Sequence, residues 1–163
     1  MALPVSPDIT LNPADPVPSA LLNKLQACVV AGAHKEEERP FGPSDLQLET
    51  AGTATLSIGY WNIGSAGGLQ GRIDARVGER VNKVRFEYNR GGAGAIGLFV
   101  YKSVAGVVTQ LATSLIAAGT GVTTSDLVVN YQVEPGAKVL ARFEPSNTAN
   151  EVWGGAAFVD CLI

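Results

Sequence analysis

From Leu46 onward, apolar and polar residues alternate with a period of two. In Thr53-Ala54-Thr55-Leu56-Ser57-Ile58-Gly59-Tyr60, the even positions Ala54, Leu56, Ile58 and Tyr60 are expected to point one way. Ile73, Ala75 and Val77 form a second apolar set with charges between them, and Lys83-Val84-Arg85-Phe86-Glu87-Tyr88 alternates most cleanly. Ile96, Leu98 and Val100 follow, then a weaker strand over 107–115. Leu127, Val129, Tyr131 and Val133 make another inward row, Val139, Ala141 and Phe143 the next, and a last run covers 152–162. Strict alternation of this kind marks strands with one buried and one wet face.

Turn-forming clusters separate these runs: 64–68, Gly78-Glu79, Asn89-Arg90-Gly91-Gly92, Gly119-Thr120-Gly121, Pro135-Gly136 and Pro145-Ser146-Asn147. About eight strands joined mainly by short turns, with no helical period among them, predict an all-β antiparallel β-sandwich. Eight is also the strand count of a jelly roll, which is the preferred topology.

The first 43 residues read differently. Pro4, Pro7, Pro13, Pro16 and Pro18 crowd the first 18 positions, and proline fixes φ and removes a donor, so an extended Pro-rich arm is expected. Its Leu3, Val5, Ile9 and Leu11 favour a strap lying over a neighbouring surface. Asp15-Pro16 then reads as a helix cap followed by proline in the first turn. Leu21, Leu22, Leu25 and Val29 form an apolar stripe, and Gly32 ends a short α-helix. One helix of this length is marginal alone in water. It either docks on its own domain or pairs with partner chains. The charge run His34-Lys35-Glu36-Glu37-Glu38-Arg39, closed by Pro40-Phe41-Gly42-Pro43, reads as a linker. The expected domains are therefore 1–43, an anchoring arm, helix and linker, and 44–163, the sandwich.

Composition fits one domain and an appendage. The chain has 163 residues, 17% of them charged and 46% hydrophobic, with 19 Gly and nine Pro. A net charge of −3, without basic clusters beside aromatics, points away from nucleic acid. The N-terminus shows no signal-peptide pattern and no segment is long and apolar enough to span a bilayer, so a soluble product without membrane insertion is expected. Cys28 and Cys161 belong to no metal-binding spacing and read as small buried hydrophobes, with a cross-link between appendage and last strand as the alternative.

Candidate chemistry is sparse. Gly92-Ala93-Gly94-Ala95-Ile96-Gly97 matches a dinucleotide-binding fingerprint by letter, but strand formers rather than a helix follow it. The lone His34 lies in the predicted linker, so no Ser/His/Asp or Cys/His set is assembled. Asp74, Glu79, Glu87 and Glu144 are expected on outward positions among basic residues, as on a solvated sheet face. No catalytic residue, cofactor or metal ligand is assigned. Trp61 lies out of phase with Tyr60 and its apolar neighbours. It is either exposed, where Tyr60, Trp61 and Trp153 would stack on sugar rings, or buried against a neighbouring loop or subunit.

Asp15-Pro16-Val17-Pro18-Ser19-Ala20-Leu21-Leu22-Asn23-Lys24-Leu25-Gln26, running on to Gly32-Ala33-His34, resembles the N-terminal attachment helices of tailed-bacteriophage virion proteins. Val77-Gly78-Glu79-Arg80-Val81-Asn82-Lys83-Val84-Arg85-Phe86-Glu87-Tyr88-Asn89, with the strand at 96–102, resembles a β-sandwich pattern of phage appendages and bacterial surface modules. The resemblance implies a non-enzymatic virion structural protein, made in the bacterial host cytoplasm, serving as a fibre, collar, tail or capsid-decoration component. Leu3, Val5, Ile9, Leu11, Leu21, Leu22, Leu25 and Val29 would then anchor it to other virion proteins, and a homo-oligomer, preferably a trimer, would be expected. A carbohydrate-binding or adhesion module recognising a cell-surface glycan is the alternative.

Overall fold

The computed structural model describes residues 36–49, 53–64, 67–92, 94–145 and 150–160. The arm, the predicted helix and both cysteines lie outside the described residues. The described residues form eleven strands: β1 (Glu36–Phe41), β2 (Leu46–Leu48), β3 (Ala54–Ser57), β4 (Tyr60–Ile63), β5 (Leu69–Ile73), β6 (Arg80–Gly91), β7 (Ile96–Val104), β8 (Val107–Ile116), β9 (Thr120–Gln132), β10 (Ala137–Pro145) and β11 (Glu151–Asp160). A 3-10 turn, Pro43–Asp45, links β1 to β2.

The strands build an antiparallel β-sandwich. One sheet runs β3-β4-β11-β6-β9, with β1 also paired to β11; the other runs β2-β5-β10-β7-β8. The pairing is nested: β7 with β8, β6 with β9, β5 with β10, β4 with β11, successive pairs falling in opposite sheets. A long hairpin rolled up in this way is a jelly roll, in accord with the preferred topology.

Alternation succeeds where strands are long. Val81, Val84, Phe86 and Tyr88 of β6, Ile96, Leu98 and Val100 of β7, and Val139, Ala141 and Phe143 of β10 are all buried. Phe86 packs edge-on against Phe143 at 4.9 Å and against Phe41 at 6.4 Å, so one aromatic ladder crosses the core from β10 to β1. Burying each such ring contributes on the order of 2–3 kcal/mol.

Three expectations need correcting. The charged stretch expected to be a linker is β1, on the arm side of the expected boundary, and it enters the sandwich because Phe41 reaches the core. Pro40 is tolerated there because β1 lies at a sheet margin, where alternate N–H groups face away from the neighbouring strand. Second, Ala54, Leu56, Ile58 and Tyr60 do not share a face. The chain reverses at Ile58 and Gly59, pairing Leu56 with Trp61 and Ser57 with Tyr60. Leu56 is half exposed and Ile58 stands fully in solvent at the turn. Third, Glu79 is buried rather than outward.

Candidate functional site

Glu79 is buried because Arg39 of β1 comes down onto it. The guanidinium donates to both carboxylate oxygens, at 2.7 and 2.8 Å, and also to the carbonyl of Asp74 and to Glu37. The Arg76 N–H adds a bond of 2.7 Å. The bonds from Arg39, partly opposed by burial, hold the Glu79 carboxyl below its ordinary value. Both groups are saturated, so the cluster is a staple between β1 and the loop before β6.

The outer face of the β1-containing sheet is similarly self-satisfied. Lys83 and Arg85 lie over the Phe158 ring at 4.2 and 4.9 Å and share Asp126 as counter-ion. Hydrogen bonding from Arg85 and Lys83 holds the Asp126 carboxyl down. At the other end of β11, alternation sets Trp153 on the same face as Glu151, and the register with β6 shifts between Val152 and Gly154. Gly154 sits at φ +113°, and a Cβ there would fall on the Phe41 carbonyl oxygen, so only glycine fits. The Trp153 indole N–H and the Asn89 amide both donate to Glu151, at 3.3 and 3.1 Å.

The three aromatics expected as one platform are divided. Trp61 pairs with buried Val152 and turns inward, against the core, where its indole N–H donates to the Pro43 carbonyl at 2.7 Å. Tyr60 points the other way, and continuing the β4–β11 register sets it beside Trp153. Both are half-buried. The anchor residues Leu3, Val5, Ile9, Leu11, Leu21, Leu22, Leu25 and Val29 lie outside the described residues.

The second sheet presents a different surface. Phe99 and Tyr101 of β7 stand on its outer face, opposite in phase to buried Leu98 and Val100. Their rings are 5.8 Å apart and 15° from parallel. Gly97 makes room for Phe99, whose ring lies where a Cβ at position 97 would be. Register places Gln47, Gln70, Arg142 and Thr113 in the row of Phe99, and Arg72, Leu140 and Gln110 in the row of Tyr101. Arg142 is held by Glu49 at 3.0 Å and more loosely by Glu144 at 3.8 Å. Paired rings bordered by amides, guanidinium groups and a hydroxyl offer apolar faces and hydrogen-bonding groups on one surface. Pairing across the strands accounts for roughly 0.2–1 kcal/mol per residue pair, a modest reason for two outward rings.

This pair escaped the sequence reading, although its signal was present. Gly97, Phe99, Tyr101 and Ser103 occupy the wet phase of a strand whose other phase is Ile96, Leu98 and Val100. Aromatics in the phase reserved for polar residues mark a surface feature. Among the described residues, no group of three or more His, Cys, Asp or Glu could hold a metal ion. No described helix is long and apolar enough to cross a membrane.

No protein-family model and no curated protein matches the sequence. The fold, by contrast, is similar to solved carbohydrate-binding structures. The CBM22-1-GH10 modules of endo-1,4-β-D-xylanase 10B from Clostridium thermocellum, complexed with xylohexaose, match over 78% of this chain with a TM-score of 0.53 and 13% identity. This chain spans 28% of that one. A mutant of CBM29-2, a family 29 carbohydrate-binding module, complexed with mannohexaose, matches over 77% of this chain and 92% of its own. Its identity is 12% and its TM-score 0.49. At 13% identity the likeness to the xylanase modules speaks for the β-sandwich fold and nothing finer.

Proposed function

We propose that this chain is a non-catalytic carbohydrate-binding module whose glycan lies on the outer face of the five-stranded sheet. The observation that carries this reading is the Phe99–Tyr101 pair. Two near-parallel rings along one strand suit an extended saccharide, whose successive residues would rest their C–H faces on successive rings. Gln70, Arg72, Gln110 and Arg142 would meet the hydroxyls at the rim. The fold's likeness to a structure of CBM22-1-GH10 modules complexed with xylohexaose supports the reading without choosing the sugar.

Calorimetric titration with xylohexaose, alongside a glycan array, tests it on wild type, the Phe99→Ala/Tyr101→Ala double variant and Tyr60→Ala/Trp153→Ala. Removing the β7 pair should weaken binding at least tenfold, equivalent to about 1.4 kcal/mol, with thermal stability nearly unchanged. Removing Tyr60 and Trp153 should leave affinity intact, because those residues stand on the other sheet. Absence of glycan binding, or loss confined to Tyr60→Ala/Trp153→Ala, would overturn the assignment.

A further inference from the structure

We infer that β8 is a self-recognition edge, pairing antiparallel with β8 of a second copy of this chain. The edge is long and unguarded. Its ten residues contain no charge and no proline, and among the described residues it pairs with β7 alone. Native edges are normally blunted by lysine, proline or shortness, because unpaired N–H and C=O groups recruit other strands. Val107, Val108 and Leu115 are 68%, 59% and 76% exposed. The neighbouring edge strand β9 continues the same character: Asp126 is the one charged residue between Lys102 and Glu134.

What selects a second copy as the occupant is the order of residues in the strand. About a two-fold axis between Leu111 and Ala112, the strand Val107-Val108-Thr109-Gln110-Leu111-Ala112-Thr113-Ser114-Leu115-Ile116 is a chemical palindrome. Antiparallel pairing there sets Val107 opposite Ile116 of the partner subunit, Val108 opposite Leu115, Thr109 opposite Ser114 and Gln110 opposite Thr113. The faces agree as well. Val108, Gln110, Thr113 and Leu115 pair with Ser103, Tyr101, Phe99 and Gly97, all on the outer face. A bulge at Leu111, where the β7 register shifts between Val100 and Tyr101, keeps Gln110 and Thr113 on one side. Because the bulge sits on the axis, both copies bend alike. A ten-residue strand is roughly 34 Å long and the flank of a two-layer sandwich roughly 20 Å deep, giving on the order of 700 Å² per copy. A stable interface buries about 800 Å² per partner. With no charged group to desolvate on β8, apolar contact and backbone bonds both favour the pair.

Sedimentation velocity of the full chain from low to high micromolar concentration is the test, with two charge variants, Gln110→Lys/Thr113→Lys and Gln110→Glu/Thr113→Glu. Wild type should dimerise with rising concentration. Each variant alone sets like charges across the axis and should dimerise at least tenfold more weakly; an equimolar mixture of the two should restore the dimer. Hydrogen exchange on wild type provides a variant-free check, since β8 amides should gain protection with concentration. A monomer at every concentration, undiminished association of each variant alone, or a mixture that stays monomeric would each overturn the proposal. The pairing needs no sugar, so its failure would leave the proposed function standing.

Discussion

The two flanks of the sandwich solve the same problem in opposite ways. On one, β1 and β2 enter through the turn at Pro43–Asp45, and charge is spent inside: Arg39 and Glu79 have side chains only 12% and 10% exposed. On the other, β8 and β9 end the sheets with exposed valines and almost no charge. The first flank closes itself with the bonds that join Arg39 to Glu37, Glu79 and the Asp74 carbonyl. The second leaves backbone and apolar side chains unclaimed. An edge that is chemically finished is held by its own residues, whereas an unfinished edge is available to another chain.

The largest expected effect lies on the closed flank. Glu79→Ala removes two charge-assisted bonds from the near-buried Arg39 guanidinium, leaving it Glu37 and the Asp74 carbonyl, and should cost about 2 kcal/mol, read from urea unfolding. The same contact should show in the pH profile. Because the folded carboxyl is held below its ordinary value of 4.5, its contribution is complete above the unfolded value and disappears as pH falls through the folded one. Wild-type stability should therefore decline through the acid range below about pH 5, and Glu79→Gln should flatten that decline. Trp61→Phe deletes the bond to the Pro43 carbonyl and trims the ring packed against the core, a loss of about 1–2 kcal/mol by the same measurement. The smallest effect belongs to the open flank: Leu115→Lys should change monomer stability by no more than about 0.5 kcal/mol. A large loss there would mean the flank is already closed within the monomer.

Much of the fold was legible in the alternation of β6, β7 and β10, where long strands between two sheets show their burial directly. Two features were hidden for physical reasons. Glu36-Glu37-Glu38-Arg39 looks like a solvated run because nothing local reveals that Glu79, forty positions from Arg39, supplies the counter-charge. The β3–β4 hairpin was misphased because a two-residue reversal at Ile58 and Gly59 sends Tyr60 outward and Trp61 inward, which continuous alternation reads the other way. The aromatic pair of β7 was written plainly in the strand's wet phase.

The nested pairing of the rolled hairpin also implies an order of assembly. Among the nested pairs, β7 and β8 alone are neighbours in sequence, joined by a two-residue turn in which Ala105 and Gly106 both adopt positive φ. Such a turn matches strand twist and lets this hairpin form locally. Once it has closed, the open loop between β6 and β9 is short, and the same holds for each pair outward to β4 and β11. The entropy of bringing distant segments together is thus met in small steps rather than at once. Sandwiches dominated by non-local pairings still fold on the millisecond-to-second scale. On this pathway, the strand with the most exposed edge is among the first to exist, well before β1 arrives to complete the opposite flank.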